Sequence, residues 1–290
     1  MLSYTDQDLR EDALKLTPVQ NVGGYLFKRD DLFQPAGFTM NGGKLRQAIL
    51  QITGQPGMNI VSGSQIISPQ SPIIAQVCEA LSRRCVIVYG CEQKTVRSSY
   101  EGQLAISSGA EIVLSPSGRQ TVIRSICKDI SARLGHFHLD YGMNSESNIE
   151  AFYQANARQV ENIPDKLDNL VITCGSGITA TGVIKGILDY GKKVDKIYLV
   201  GVAPNRIEKV KMRLKKLGSE RKFIYIDLFQ SPKFAYEKTY DVFYRGIRLH
   251  ERYEAKAFLW FKDKFYPKGE IHANSRSLFW ITGGSYAKSW

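Results

Sequence analysis

Long apolar runs are missing from this chain. Nothing in its 290 residues approaches the roughly 18 to 20 consecutive apolar residues that a membrane-spanning helix needs, so no span is expected. Met1 to Glu11 is polar and acidic and does not read as a secretory signal. Cysteines are few: Cys78, Cys85, Cys91, Cys127 and Cys174 are an odd number with no Cys-x-x-Cys pair. That argues against a disulfide framework or zinc ribbon and for a reducing, cytoplasmic setting. Histidine is scarcer still, at four. His136 and His138 alternate along an expected strand, but no third ligand follows at metal-binding spacing, so no metal is expected. Acidic residues are outnumbered, 28 against 39 Lys plus Arg, which leaves a net charge of +11. Such a surplus suits nucleic acid, phosphate or an acidic membrane surface, and equally a basic soluble protein with no such partner. With 43% hydrophobic and 23% charged residues, the composition excludes a disordered chain.

What is present reads as alternating strands and helices. Asn59-Ile-Val-Ser62, Cys85-Val-Ile-Val-Tyr89, Glu111-Ile-Val-Leu114 and His136-Phe-His-Leu139 are short apolar runs. Between them, 72–81, 98–108 and 119–134 carry helical spacing, the last closed by Gly135. Strands alternating with helices in this way predict a parallel sheet with right-handed crossovers. A second group repeats the pattern, with helices over 149–162 and 181–190 and strands at 169–173 and 196–200. Length and pattern together predict two α/β domains of unequal size. The last third is aromatic and less regular.

Two constellations could carry chemistry. Cys174-Gly-Ser-Gly-Ile-Thr-Ala-Thr-Gly182 follows a strand and opens a helix. Backbone N–H groups at Gly175 and Gly177, the helix N-terminus, and the hydroxyls of Ser176 and Thr179 together suit a phosphate. It is neither a Walker loop nor a complete Gly-x-Gly-x-x-Gly run, because position 180 is Ala. Read alone, it is equally a tight strand-to-helix turn. The second is Asn41-Gly-Gly-Lys-Leu-Arg46, where Lys44 stands at the start of a helix. A lysine amine used as a nucleophile needs a partly desolvated setting. A phosphate cradle and an available amine are together what pyridoxal phosphate (PLP) requires.

At this point the chain resembles the fold-type-II PLP enzymes, in particular the branch of 1-aminocyclopropane-1-carboxylate (ACC) deaminase and D-cysteine desulfhydrase. The resemblance runs through Leu16-Thr-Pro-Val-Gln20, Lys28-Arg-Asp-Asp-Leu32, Gly42-Gly-Lys-Leu-Arg-Gln47, Arg252-Tyr-Glu-Ala-Lys256 and Ile281-Thr-Gly-Gly284. It covers the chain from about Leu16 to Tyr286 and is weakest over 207–252, where only Tyr236 matches a family tyrosine. It implies two open, mostly parallel sheets with flanking helices, as in the tryptophan synthase β fold. The large PLP-binding domain would be 1–54 plus 142–290. A smaller mobile α/β domain would be 55–141.

The resemblance also implies roles. Lys44 would form the internal aldimine, and Tyr253 would be the neighbouring acid/base or nucleophile. Gly175, Ser176, Gly177 and Thr179 would hold the phosphate. Glu254 would face the pyridine nitrogen, with Thr282 and Gly283 beside the ring. Ser68, Gln70 and Ser71 would face the substrate. Two family asparagines are replaced, by Gly43 and by Pro69. Proline offers neither an N–H nor an amide, so one contact to cofactor or carboxylate is lost there.

The expected activity is that of a homodimeric PLP-dependent lyase or deaminase acting at the α-carbon of a small amino acid or amine. A second reading places that amino acid or amine on nucleic acid. Arg206, Lys209, Lys211, Arg213, Lys215, Lys216, Arg221 and Lys222 stand within seventeen residues, against Glu208 and Glu220. Phosphate contacts by such residues supply affinity independent of sequence, although a solvated helix face looks the same. A third reading is a catalytically dead binding protein, against which the intact Lys44, Tyr253 and Glu254 argue.

Overall fold

The computed structural model describes residues 3–143, 148–265 and 276–283. In chain order its elements begin with α1 (Asp6–Ala13), β1 (Val19–Val22), β2 (Tyr25–Arg29), α2 (Gly42–Thr53), β3 (Ile60–Ser64) and α3 (Gln70–Ala80). There follow β4 (Cys85–Tyr89), α4 (Gln93–Ser98), α5 (Tyr100–Ser107), β5 (Glu111–Leu114), α6 (Gln120–Leu134) and β6 (Phe137–Leu139). The second half holds α7 (Ile149–Arg158), β7 (Lys166–Cys174), α8 (Ile178–Asp189), β8 (Lys193–Gly201), α9 (Ile207–Lys216) and β9 (Ile224–Asp227). It closes with β10 (Val242–Tyr244), β11 (Ile247–Leu249), α10 (Glu254–Phe265) and β12 (Ser277–Ile281). None of the described helices is long and apolar enough to cross a membrane.

The chain forms two compact units, and the expected α/β class with two mostly parallel sheets is observed. The first unit holds residues 3–15, 34–143 and 148–152 of those described. Its sheet has the order β5-β4-β3-β6, and every pair is parallel. Strands β3 and β4 are buried along their whole length, as expected of parallel strands covered on both faces. Ile123, Cys127 and Ile130 of α6 pack on Val61, Val86 and Val88. Gly135 ends α6 at φ 66°, the left-handed conformation that closes helices without a Cβ penalty.

The units divide the chain elsewhere than at the expected 54/55 and 141/142. Residues 34–54, with α2 and Lys44, group with the four-stranded sheet. Side-chain ties account for this. Arg46 Nη1 donates to Ala13 O at 2.6 Å, fastening α2 to α1, and Gln47 Nε2 donates to Met143 O at 2.9 Å. The helix expected over 98–108 is α5; the short α4 before it ends at Ser98, and Ser99 caps α5 by accepting from Gly102 N at 3.1 Å.

The second unit holds residues 16–33, 153–265 and 276–283 of those described. Its six-stranded sheet runs β1-β2-β12-β7-β8-β9, with only the β1–β2 pair antiparallel. Strand β12 shows how both faces are filled. Leu278 and Trp280 face the aliphatic layer of Val183, Ile184, Ile187, Val210 and Leu214. Phe279 and Ile281 face an aromatic layer built on Phe27, Phe258 and Phe261. Phe258 and Phe279 lie 5.5 Å apart at 76°, the edge-to-face arrangement such rings prefer. The described aromatic residues of α10 and β12 are therefore part of a core layer on one face of this sheet.

His138 lies half-buried in β6, and burial holds its imidazole below the ordinary histidine range, with Asp140 opposing and Lys128 and Arg124 adding to the shift. Between that lowered value and the ordinary 6.5, the unfolded chain binds a proton that the folded chain does not. Stability is therefore expected to fall as pH drops below about 6.5. Denaturant melts of wild type and His138→Gln at several pH values check this; the variant should lose less stability on acidification.

Candidate active site

The candidate residues fall into two groups, one in each unit. In the second unit, β7 delivers Cys174 to the carboxyl end of a parallel sheet, the edge at which α/β folds build their sites. Helix α8 then begins at Ile178, earlier than the sequence spacing suggests, so Thr179 sits in its first turn. Gly177 is the N-cap at φ 78° and supplies no side-chain cap. Ser176 Oγ accepts only a long 3.4 Å bond from Ile178 N. First-turn N–H groups have no partner within the helix and add positive dipole at this end. Gly175, Ser176 and Thr179 are the half-exposed residues of the loop; the residues between and around them are buried. A Cβ at Gly175 would meet no atom within 4 Å, so open space adjoins the loop. Thr173 Oγ1, at the end of β7, is buried without a hydrogen-bond partner among the described residues.

The loop is braced from behind. Val210 of α9 approaches so closely that a Cβ on Gly177 would lie 2.5 Å from its Cγ2. Arg213 Nη1 donates to Ser176 O at 2.7 Å. Sequence alone shows Arg213 as one cation among eight, and nothing in the spacing marks it as the residue that holds the loop. Gly182, which falls outside the dinucleotide pattern, serves packing. A Cβ there would lie 2.7 Å from Asn156 Cβ, and one at Gly186 would lie 2.4 Å from Ala157 O, so both let α8 close on α7. Burial pushes the Cys174 thiol up to about 12, against weaker pulls from Arg213 and Arg206. Cys174 is therefore a neutral thiol near pH 7 and no thiolate nucleophile.

Tyr253, Glu254, Thr282 and Gly283 also belong to this unit, and the structure brings two of them into contact. Glu254 opens α10 with 1% of its surface exposed, and Thr282 Oγ1 donates to Glu254 Oε1. Tyr253 is half-buried and packs on the His250 ring, with centroids 4.6 Å apart. Gly283 takes φ 70° just after β12. Gly284 of the same motif lies outside the described residues. Lys256, unassigned by the sequence, is fully buried and donates to Ala235 O at 2.7 Å and Tyr236 O at 3.1 Å. It fastens the segment carrying Tyr236 to α10. The Lys28-Arg-Asp-Asp-Leu32 motif is structural: Lys28 Nζ donates to Thr17 O and Asn162 Oδ1, and Arg29 pairs with Asp31 at 2.8 Å.

In the first unit, Lys44 stands in the first turn of α2 as its one residue that is not buried. Gly42 precedes it at φ 83°. The start of α3 departs from the substrate-facing role expected of it. Gln70 is buried, and its Nε2 donates to Ser62 Oγ at 3.1 Å and Asp140 O at 3.3 Å while its Oε1 accepts from Gly142 N at 2.7 Å. Ser71 is buried and shares a 2.7 Å bond with Ser64 Oγ. Of the three expected substrate contacts, only Ser68 is half-exposed. Sequence shows that a side chain has donors; it does not show that neighbours already use them. Among the described residues, no group of three or more His, Cys, Asp or Glu is placed to hold a metal.

Each unit offers groups that PLP chemistry uses: the second an open glycine loop at a helix start and a buried carboxylate that accepts a hydrogen bond from Thr282, the first a half-exposed lysine. Residues 11–231 match the family of pyridoxal-phosphate dependent enzymes, so the chain belongs to that family and its cofactor is PLP. The chain is 26% identical to the O-seryl-dTMP PLP-dependent decarboxylase of Salmonella phage ViI, over 89% of this chain and 77% of that protein. In fold it is similar to a crystal structure of an ACC deaminase homologue. There the TM-score is 0.73 at 18% identity, over 93% of this chain and 89% of the other. It is likewise similar to maize serine racemase, with TM-score 0.61 and 15% identity over 98% and 94% of the two chains. These likenesses place it in fold type II.

Proposed function

We propose that this PLP enzyme removes the α-carboxylate from an amino acid joined through its side chain to a nucleotide. The observation that carries the reading is the donor-poor start of α3. Pro69 has no N–H, and the amide of Gln70 and the hydroxyl of Ser71 are engaged within the unit. A deaminase or racemase must grip the carboxylate throughout the reaction. A decarboxylase gains from holding it loosely, because the group leaves as uncharged CO2. The phage relative's nucleotide-linked serine supports the same reading.

PLP, when bound, supplies an electron sink for the pair left at the α-carbon. Lys44 would anchor it. The N–H groups at the start of α8, with Ser176 and Thr179, would hold its phosphate, and Arg213 keeps that loop in place. Glu254, hydrogen-bonded to Thr282, would face the ring nitrogen and, as a carboxylate, would favour its protonated form. Ser68 contacts the substrate. The carbon–carboxyl bond breaks, CO2 departs, and Lys44 or Tyr253 returns one proton to the α-carbon, leaving an amine on the nucleotide.

The test offers the holoenzyme O-linked seryl-thymidylate, both as the free nucleotide and within a DNA strand, and, separately, a panel of free amino acids. Released CO2 and ammonia are both measured. CO2 from the nucleotide-linked substrate without ammonia is expected. Ammonia from a free amino acid, with the nucleotide-linked one untouched, would overturn the proposal.

A further inference from the structure

Helix α9 carries more positive charge than the phosphate loop behind it uses. Its ten residues include Lys209, Lys211, Arg213, Lys215 and Lys216 against one acid, Glu208. Arg213 turns inward to Ser176. The four lysines are exposed. Lys211 pairs with Glu208 at 2.9 Å, while Lys209, Lys215 and Lys216 make no ion pair among the described residues. Lys222, six residues beyond the helix, is likewise exposed. Lys211 and Lys215 stand at i,i+4, where like charges repel each other.

The apolar side of α9 is already spent. Val210 is fully buried and Leu214 nearly so, both within the core of the six-stranded sheet. A helix that lies in a membrane surface needs such a face free to enter the acyl region. What α9 leaves outside is charge, with Met212 among it at 53% exposure. Lys209 to Lys216 spans roughly 10 Å of helix at 1.5 Å per residue. That is the axial length of about three nucleotides of one strand at 3.4 Å each. A single nucleotide, with one phosphate, cannot engage four lysines spread over that length.

We infer that α9 is a docking surface for the phosphodiester backbone of DNA, and that the modified nucleotide is taken as part of a polynucleotide. The inference rests on the proposed nucleotide-linked substrate and extends it from one nucleotide to a chain of them. Arg213 gives the surface its place in the enzyme: the helix that meets the backbone is fastened through Ser176 O to the loop that holds the cofactor phosphate.

The experiment measures binding of the holoenzyme to an unmodified DNA duplex across a range of salt. Three proteins are compared: wild type, a Lys209→Gln/Lys211→Gln/Lys215→Gln/Lys216→Gln variant, and a control in which the exposed Lys94, Arg97, Lys128 and Arg133 become Gln. Arg213 is left intact in all three. The slope of log affinity against log salt should shrink by about 3 to 4 in the α9 variant, at roughly 0.9 per neutralised contact, and stay near wild type in the control. An unchanged slope in the α9 variant, or an equal loss in the control, would overturn the inference. So would anionic phosphatidylserine vesicle binding that the α9 substitutions abolish while DNA binding persists. Binding needs no turnover, so the two proposals fail separately. Absent CO2 release from seryl-thymidylate, both free and within DNA, sinks the reaction and leaves the surface; an unchanged slope does the reverse.

Discussion

Replacing Lys44 by alanine is expected to lower turnover by about 10³-fold or more, since the covalent anchor and a proton-transfer group are lost together. Dialysed Lys44→Ala protein should also lose the yellow colour of the bound cofactor. The fold should survive. Lys44 is the half-exposed residue of α2, and alanine is the best helix former. Neither Lys28 nor Lys256 can take its place. Both are fully buried, and their amines are held by backbone carbonyls of Thr17 and of Ala235 and Tyr236 respectively. Turnover within tenfold of wild type, measured beside an unchanged melting temperature, would remove Lys44 from the mechanism.

Gly177→Ala is expected to destabilise the second unit by about 2 to 5 kcal/mol. A left-handed conformation costs an alanine about 1–2 kcal/mol, and overpacking adds about 1–3. The overpacking is specific: the new Cβ would lie 2.5 Å from Val210 Cγ2. The melting temperature should fall by about 5 to 15 °C for a chain of this size. Adding Val210→Ala should restore part of the loss, because it removes the clash and leaves the strain. Gly175→Ala separates structure from binding. Its Cβ meets no atom within 4 Å, so stability should hold while affinity for PLP falls. A Gly177→Ala protein as stable as wild type would mean the loop is not braced by α9.

Much of the fold was legible because parallel strands buried on both faces read as unbroken apolar runs. Cys85–Tyr89 is the clearest instance. Gly135 likewise announced the end of α6. Other parts were illegible for physical reasons. The capping box of α1 uses Thr5 and Asp8, where the usual pattern has Glu or Gln at that position. Strand β12 enters the sheet between β2 and β7, a pairing set by contacts far apart in sequence that no local period reveals. The loop between β7 and α8 is legible from its glycines, but its brace, Arg213, is hidden in a run of charge. Gln70 and Ser71 looked available because sequence lists donors and not their partners. The +11 charge resolves in part into one helix, α9, whose apolar side is committed to the core.

The most direct test of the account is reduction of the holoenzyme with borohydride, followed by digestion and mass spectrometry of the peptides. The account predicts one pyridoxyl-modified peptide, with the added mass on Lys44. Modification of another lysine, or a cofactor that borohydride leaves unattached, would contradict it.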